Sequence, residues 1–150
     1  MHPPRNAGGM TTTAIGISQI QLVMIPSTDQ DRSIAFYEAL GFEKRSDFPW
    51  GANYRWVELY PPGGTAGIAL VPPGPGDPTG VATGIILNTD DIDATHAGLG
   101  SIGVDVDDDV AGPGSPVEIQ LGAVQLSGPM PPMFYLRDPD GNALLMVEPH

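Results

Sequence analysis

Apolar and polar residues alternate along the 150-residue chain in an order that predicts strands, a helix and a hairpin. Residues 21–25 form a short apolar run, which is typical of a strand. Residues 27–29 then offer helix N-caps, and apolar residues at helical spacing follow until Gly41 ends the pattern. Residues 54–73 predict two strands joined by a Pro- and Gly-rich turn.

The second half of the chain repeats this order. Residues 83–106 predict a strand, an acidic cap and a helix, and Gly103 follows Gly41 at an offset of 62 residues. The same offset pairs Asp29 with Asp91, Ser33 with Thr95 and Leu40 with Ile102. Two tandem βαβββ modules, at about 15–73 and 82–149, account for this repeat.

Two stretches fall outside the repeat. Residues 1–14 are predicted to be a disordered or tag-like leader that precedes a single domain at 15–149. Residues 112–132 are longer than a hairpin requires. They predict a strand at 117–126 and a Pro-rich loop over the site.

Three stretches, STDQDRSIAFYEALGFE, TDDIDATHAGLGSIGV and LRDPDGNALLMVEP, carry a family resemblance. In this order they resemble the signature stretches of the vicinal oxygen chelate superfamily, which contains glyoxalases, bleomycin-resistance proteins and ring-cleaving extradiol dioxygenases. The resemblance implies an α+β fold, in which tandem βαβββ modules form a curled, incomplete-barrel mixed sheet with the helices outside. It also implies a homodimer, because the two modules of such proteins often complete sites across chains.

In the metal-dependent members of that superfamily, four strand residues hold a divalent ion, usually through His, Glu or Gln. By position, these ligands fall here at Leu22, Ala69, Gly84 and Leu145. None of the four side chains coordinates metals, so we expect no divalent metal cofactor. A one-residue shift of register would bring Gln21 inward, but a single amide does not hold a catalytic ion. The three histidines, His2, His96 and His150, are expected at the termini or on the outer helix surface.

Strand alternation predicts what lines the cavity in place of metal ligands. On the strand YRWVELY, Val57 and Leu59 are expected to face the helices, which leaves the aromatic residues and Glu58 on the cavity side. Phe48 precedes this strand in a predicted loop. The predicted lining residues are Leu22, Met24, Trp50, Tyr54, Trp56, Glu58, Ala69, Gly84, Ile86 and Leu145. Apolar and aromatic walls with one carboxylate are typical of a small-molecule pocket. Core packing of the tryptophans, and an edge-strand position in solvent for Glu58, remain the alternatives.

Composition excludes several classes of function. The chain has no cysteine, which rules out disulfides, thiolate catalysis and cysteine-ligated zinc. Six basic residues against 18 acidic ones give a net charge of −12, which argues against nucleic-acid binding. No apolar run reaches membrane-spanning length, and the N-terminus lacks a secretory signal, so we expect a cytoplasmic protein without a membrane partner.

Three functions from different classes fit these observations. The first is a metal-free protein that binds and sequesters a drug or another small aromatic or cationic molecule. The second is a metal-free isomerase or lyase in which Glu58 is the candidate catalytic residue for proton transfer. The third is a metal-dependent lyase, isomerase or dioxygenase with ligands at other positions. The sequence favours the first.

Overall fold

The computed structural model describes residues 15–126 and 130–149, which form two modules; the predicted leader, including His2, and His150 lie outside these residues. The first module contains β1 (Leu22–Pro26), α1 (Gln30–Ala39), β2 (Glu43–Pro49), β3 (Arg55–Tyr60) and β4 (Gly67–Val71). The second contains β5 (Ala82–Asn88), α2 (Ile92–Ser101), β6 (Asp105–Val106), β7 (Ile119–Leu121), β8 (Val124–Leu126), β9 (Met133–Arg137) and β10 (Ala143–Val147).

The two modules have the same topology. The strand orders are β1-β4-β3-β2 and β5-β10-β9-β6, and in each sheet the first pair is parallel and the others antiparallel. Among the described residues, β7 and β8 pair only with each other and form an inserted hairpin. The predicted α+β fold of tandem βαβββ modules is therefore confirmed, and its mixed sheets remain open in the described part of the chain.

Local chemistry explains why both modules begin in the same way. Asp29 and Asp91 cap their helices, because each side chain accepts a hydrogen bond from the backbone N–H three residues later. A pair of hydroxyls joins the end of the first strand to each helix. These pairs are Ser27 with Ser33 at 2.7 Å and Thr89 with Thr95 at 2.6 Å. The 62-residue repeat therefore preserves hydrogen bonds as well as hydrophobic spacing.

The larger of two hydrophobic clusters among the described residues lies between the sheets and the helices. Val57 and Leu59 of β3 contribute to it from the first sheet, and Phe134 and Leu136 of β9 from the second. Tyr37 of α1 is completely buried in the same cluster. Because strand side chains alternate between faces, each sheet turns its other face away from this core.

The insertion differs from the predicted single strand at 117–126. The chain reverses within it, and β7 and β8 are separated by Gly122 and Ala123. Gly122 has a φ of +58°, a conformation that glycine adopts without steric cost. Ile119 and Leu121 pack with Leu145 on the second sheet, so the hairpin covers part of that face. Part of the predicted Pro-rich loop, residues 127–129, lies outside the described residues.

The turn between β9 and β10 joins the two modules through buried hydrogen bonds. Asp138 accepts bonds from the Tyr37 hydroxyl at 2.9 Å and from the Asn142 amide at 2.8 Å. The same Asn142 amide nitrogen donates to the carbonyl of Pro26, and its Oδ1 accepts from the backbone N–H of Val81. A turn of ordinary composition thus connects α1, β1 and the segment before β5.

Replacement of Tyr37 by Phe is expected to remove a pH-dependent part of the stability. Burial, and then the charge and hydrogen bond of Asp138, raise the pKa of Tyr37 far above its ordinary value of about 10. The unfolded chain therefore loses this proton near pH 10 while the folded chain keeps it. The resulting stabilisation is fully present below about pH 10 and declines as pH rises further.

Urea unfolding of both proteins at neutral pH and above pH 10 measures this effect. At neutral pH, Tyr37→Phe should cost about 1–2 kcal/mol, because a buried hydrogen bond to Asp138 is lost. Above pH 10 the difference between the two proteins should shrink. A constant difference across the whole range would contradict the assigned role of the phenol.

No helix within residues 15–126 and 130–149 has the length and apolar character that a membrane crossing needs.

Candidate ligand-binding site

The outward face of the first sheet carries the main group of predicted site residues. Trp56, Glu58 and Tyr60 alternate along β3 with Val57 and Leu59, which point into the core. The first three side chains therefore line one face of the sheet, and we call this face, with Trp50, Tyr54 and Phe48, the aromatic wall.

Glu58 occupies the middle of this wall and is held at both oxygens. The Trp56 indole Nε1–H donates to Oε2 at 2.6 Å, and the Tyr60 hydroxyl donates to Oε1 at 2.8 Å. The side chain is partly buried and β3 lies between β2 and β4, so the expected alternative, an edge-strand position in solvent, does not describe its surroundings. Two fixed donors orient the carboxylate and leave its remaining lone pairs for a ligand.

Tyr60 is positioned by residues on two other strands. A Cβ atom at Gly67 would lie 2.6 Å from the Tyr60 ring, so only glycine permits this close approach. The guanidinium of Arg45 lies over the ring, 4.3 Å from its centroid. Gln21 lies just before β1, and its amide nitrogen is 3.5 Å from the Tyr60 hydroxyl, a long hydrogen bond.

Four aromatic rings continue the wall from Glu58. Trp50 lies almost perpendicular to Trp56, with their centroids 5.5 Å apart, and nearly parallel to Tyr54 at 6.3 Å. Phe48 lies 6.2 Å from Trp50 and pairs with Trp56 across the strands. It therefore belongs to β2 and not to a loop as predicted, because pairing with β3 continues as far as Pro49. Trp50 is 58% exposed and Phe48 45%, so these rings are not core residues.

An ion pair anchors β2 to β3 beside the aromatic rings. Arg55 donates to both carboxylate oxygens of Asp47 at 2.8 Å, and Lys44 donates to the same carboxylate at 2.7 Å. These bonds, the one from Arg55 first, hold the pKa of Asp47 well below its usual range. The bidentate geometry fixes the edge of the sheet that carries Phe48.

The neighbouring strands supply the other predicted residues of this face. Met24, Ala69 and Glu58 are adjacent in register across β1, β4 and β3, and Leu22 pairs with Gly67. Met24 is 69% exposed, whereas Ala69 is fully buried and offers no surface to a ligand. Pairing along β1 is continuous from Leu22, so no register shift exchanges the faces of this strand.

The remaining predicted residues belong to the second sheet and line a separate cavity of about 320 Å³. Leu145 pairs with Ile86 and Tyr135, and the hairpin contributes Leu121. Gly84 has a φ of +73° within an irregular stretch of β5, where the register with β10 shifts. The glycine thus accommodates a bulge, which is a frequent reason for glycine in a strand.

The residues at the family's metal positions do not fit a divalent ion. Leu22 and Ala69 stand on the first sheet, and Gly84 and Leu145 on the second. None offers the nitrogen, oxygen or thiolate donor that such ions require. Within residues 15–126 and 130–149, no group of three or more His, Cys, Asp or Glu side chains is close enough to hold a metal. His96 instead contacts the carbonyl of Asp107 at 2.6 Å.

The sequence patterns did not predict that Arg45 and Tyr135 belong to the site. The register of β2 shifts between Lys44 and Ser46, so no strand periodicity indicates that Arg45 reaches Tyr60. Tyr135 lies between Phe134 and Leu136 on β9, and both of these neighbours are in the core. Alternation along residues 133–137 therefore predicts that the Tyr135 side chain points to the opposite face of the sheet. Its hydroxyl donates to the carbonyl of Gln120 at 2.8 Å and connects the hairpin to the second sheet.

Comparison with known proteins identifies the family. The model of the glyoxalase/bleomycin resistance protein/dioxygenase superfamily matches residues 19–146, so the chain belongs to this superfamily. No curated protein sequence matches it.

Three solved structures show the same relationship. An antibiotic-binding protein from Streptomyces sp. CB03234 is 32% identical, with a TM-score of 0.69 over 91% of this chain and all of that one. A superfamily member from Sphaerobacter thermophilus DSM 20745 is 30% identical, with a TM-score of 0.70 over 89% and 98%. A glyoxalase/bleomycin resistance protein from Streptomyces sp. CB03234 is 31% identical, with a TM-score of 0.63 over 87% and 100%.

Proposed function

We propose that this protein binds a small aromatic or cationic molecule against the aromatic wall and thereby sequesters a drug or metabolite. The observation that carries the proposal is the contiguous set of rings beside a fixed carboxylate, on a sheet face that the core does not use. Exposed aromatic side chains with few oriented polar groups favour stacking and specific hydrogen bonding. A structural relative that binds an antibiotic supports the same class of function.

We further propose that the site is completed in a homodimer. The aromatic wall and the cavity at Leu145 lie on different sheets, and both expose apolar residues. Met24 and Ile86, at equivalent positions of the two edge strands, are 69% and 62% exposed. Contact between the wall of one copy and the second sheet of its partner would bury these residues and enclose a ligand. Light scattering across a concentration series would give a single monomer mass if this proposal is wrong.

A second candidate function is metal-free proton transfer by Glu58. The structure brings the Tyr60 hydroxyl within 2.8 Å of this carboxylate, and the pair offers a base and an acid on one surface. Glu58→Gln separates the two functions, because stacking on the wall survives this change whereas turnover by a carboxylate base does not.

Fluorescence provides a direct test of binding. Both tryptophans of the chain, Trp50 and Trp56, lie in the wall, so a molecule that stacks there changes all of the tryptophan emission. We expect saturable quenching by members of a library of aromatic antibiotics and metabolites. Absence of saturable quenching across the library, for protein shown to be folded by circular dichroism, would contradict the proposal. Elemental analysis of protein purified without a metal-affinity column tests for a bound ion in parallel.

A further inference from the structure

The charge of Glu58 has no cationic partner among the described residues, although the wall holds it firmly. Its two hydrogen-bond donors, the Trp56 indole and the Tyr60 hydroxyl, are both neutral. None of the ion pairs formed by residues 15–126 and 130–149 includes Glu58. The carboxylate therefore brings an uncompensated negative charge to the ligand surface.

The basic side chains near the wall are engaged elsewhere. Arg45 stacks on Tyr60, but its N–H groups donate to the carbonyl of Gly64 at 3.1 Å and to Glu43 at 3.0 Å. The basic residues of the described chain, Arg32, Lys44, Arg45, Arg55 and Arg137, each pair with a carboxylate other than Glu58. Since the whole chain carries a net charge of −12, the long-range field has the same sign as the local charge.

The rings next to this charge also favour a cation. Trp50 and Trp56 meet at 79° with centroids 5.5 Å apart and form a corner of two indoles, and Tyr54 stacks on Trp50. The negative faces of aromatic rings attract cations, and tryptophan attracts them most strongly. An aromatic corner beside a carboxylate stabilises an organic cation by both effects, repels an anion and gives a neutral molecule the stacking energy alone.

We infer that the wall selects organic cations, with an ammonium or delocalised positive charge directed at Glu58 and an apolar or aromatic frame against Trp50 and Trp56. This inference rests on the proposed binding function and specifies its ligand class.

Three probes of the same shape test the inference. Phenyltrimethylammonium is a cation, tert-butylbenzene is its uncharged isostere, and benzenesulfonate is an anion of similar size. Titrations followed by tryptophan fluorescence should show the cation binding roughly tenfold more tightly than the isostere, and the anion more weakly than both. Glu58→Gln should reduce the advantage of the cation severalfold. Glu38→Gln, which changes an exposed carboxylate of α1, is the matched control and should leave it unchanged.

The outcomes separate this inference from the proposed function. Equal affinity of the wild-type protein for the cation and the isostere would overturn the inference and leave the binding function intact. Failure of all three probes to quench, each tested up to its solubility limit in water, would also overturn it, and the library screen then decides the binding function separately. If Glu58→Gln does not fold, the salt dependence of the wild-type protein replaces it. Added salt should weaken the binding of the cation and leave the binding of the isostere unchanged.

Discussion

Asp138→Ala is expected to lower the free energy of unfolding by about 4 kcal/mol, the largest stability loss that we predict for a single substitution. The carboxylate is buried and accepts four hydrogen bonds. Their donors are the backbone N–H groups of Asp140 and Asn142, the Asn142 side-chain amide and the Tyr37 hydroxyl. Removing the acceptor leaves buried donors without partners, and each such group costs about 1–3 kcal/mol.

Urea denaturation with matched baselines measures this loss. Asp108→Ala is the control, because Asp108 is an exposed carboxylate of the same chain half, and its removal should change stability by less than about 0.5 kcal/mol. A loss at Asp138 as small as that of the control would mean that the turn does not link the modules energetically.

Trp56→Ala is expected to weaken ligand binding by roughly thirtyfold or more, which corresponds to about 2 kcal/mol for a central aromatic anchor. Trp56 contacts the next indole and also donates to Glu58, so the substitution removes a stacking surface and releases the carboxylate. Calorimetry with any compound identified by the fluorescence screen measures the change, since one of the two fluorophores is lost in this variant.

Ile102→Ala is the control for this substitution. Ile102 is a large apolar residue at the end of α2 that is 59% exposed and lies outside the wall, so its truncation should leave affinity unchanged. Equal affinities of wild-type protein and Trp56→Ala would place the ligand elsewhere, and the cavity beside Leu145 would be the next region to test.

The substitutions Asp138→Ala and Trp56→Ala act on separate parts of the molecule. Asp138 belongs to the buried junction between modules, whereas Trp56 faces away from the core on β3. Effects of distant sites that share no contacts are additive, so the double variant should show the stability loss of one and the affinity loss of the other. Independence would support a rigid scaffold with a binding surface on its outer face.

The sequence by itself determined the fold, because the signals that define it are local. Helix caps at Asp29 and Asp91, glycines after each helix and alternating apolar residues act over a few positions, and their repetition at an offset of 62 defined two equivalent modules. Alternation also assigned Val57 and Leu59 to the core, which left Trp56 and Glu58 on the opposite face.

Only the tertiary structure decided which of these residues meet and how. The strand β2 begins with exposed charged residues and shows no alternation, so neither its length nor the position of Arg45 over Tyr60 could be predicted. The partners of Glu58 depend on side-chain rotamers, and the turn at Asp138 depends on a tyrosine about one hundred residues earlier in the chain. Such contacts arise from packing between distant segments, which local periodicity does not encode.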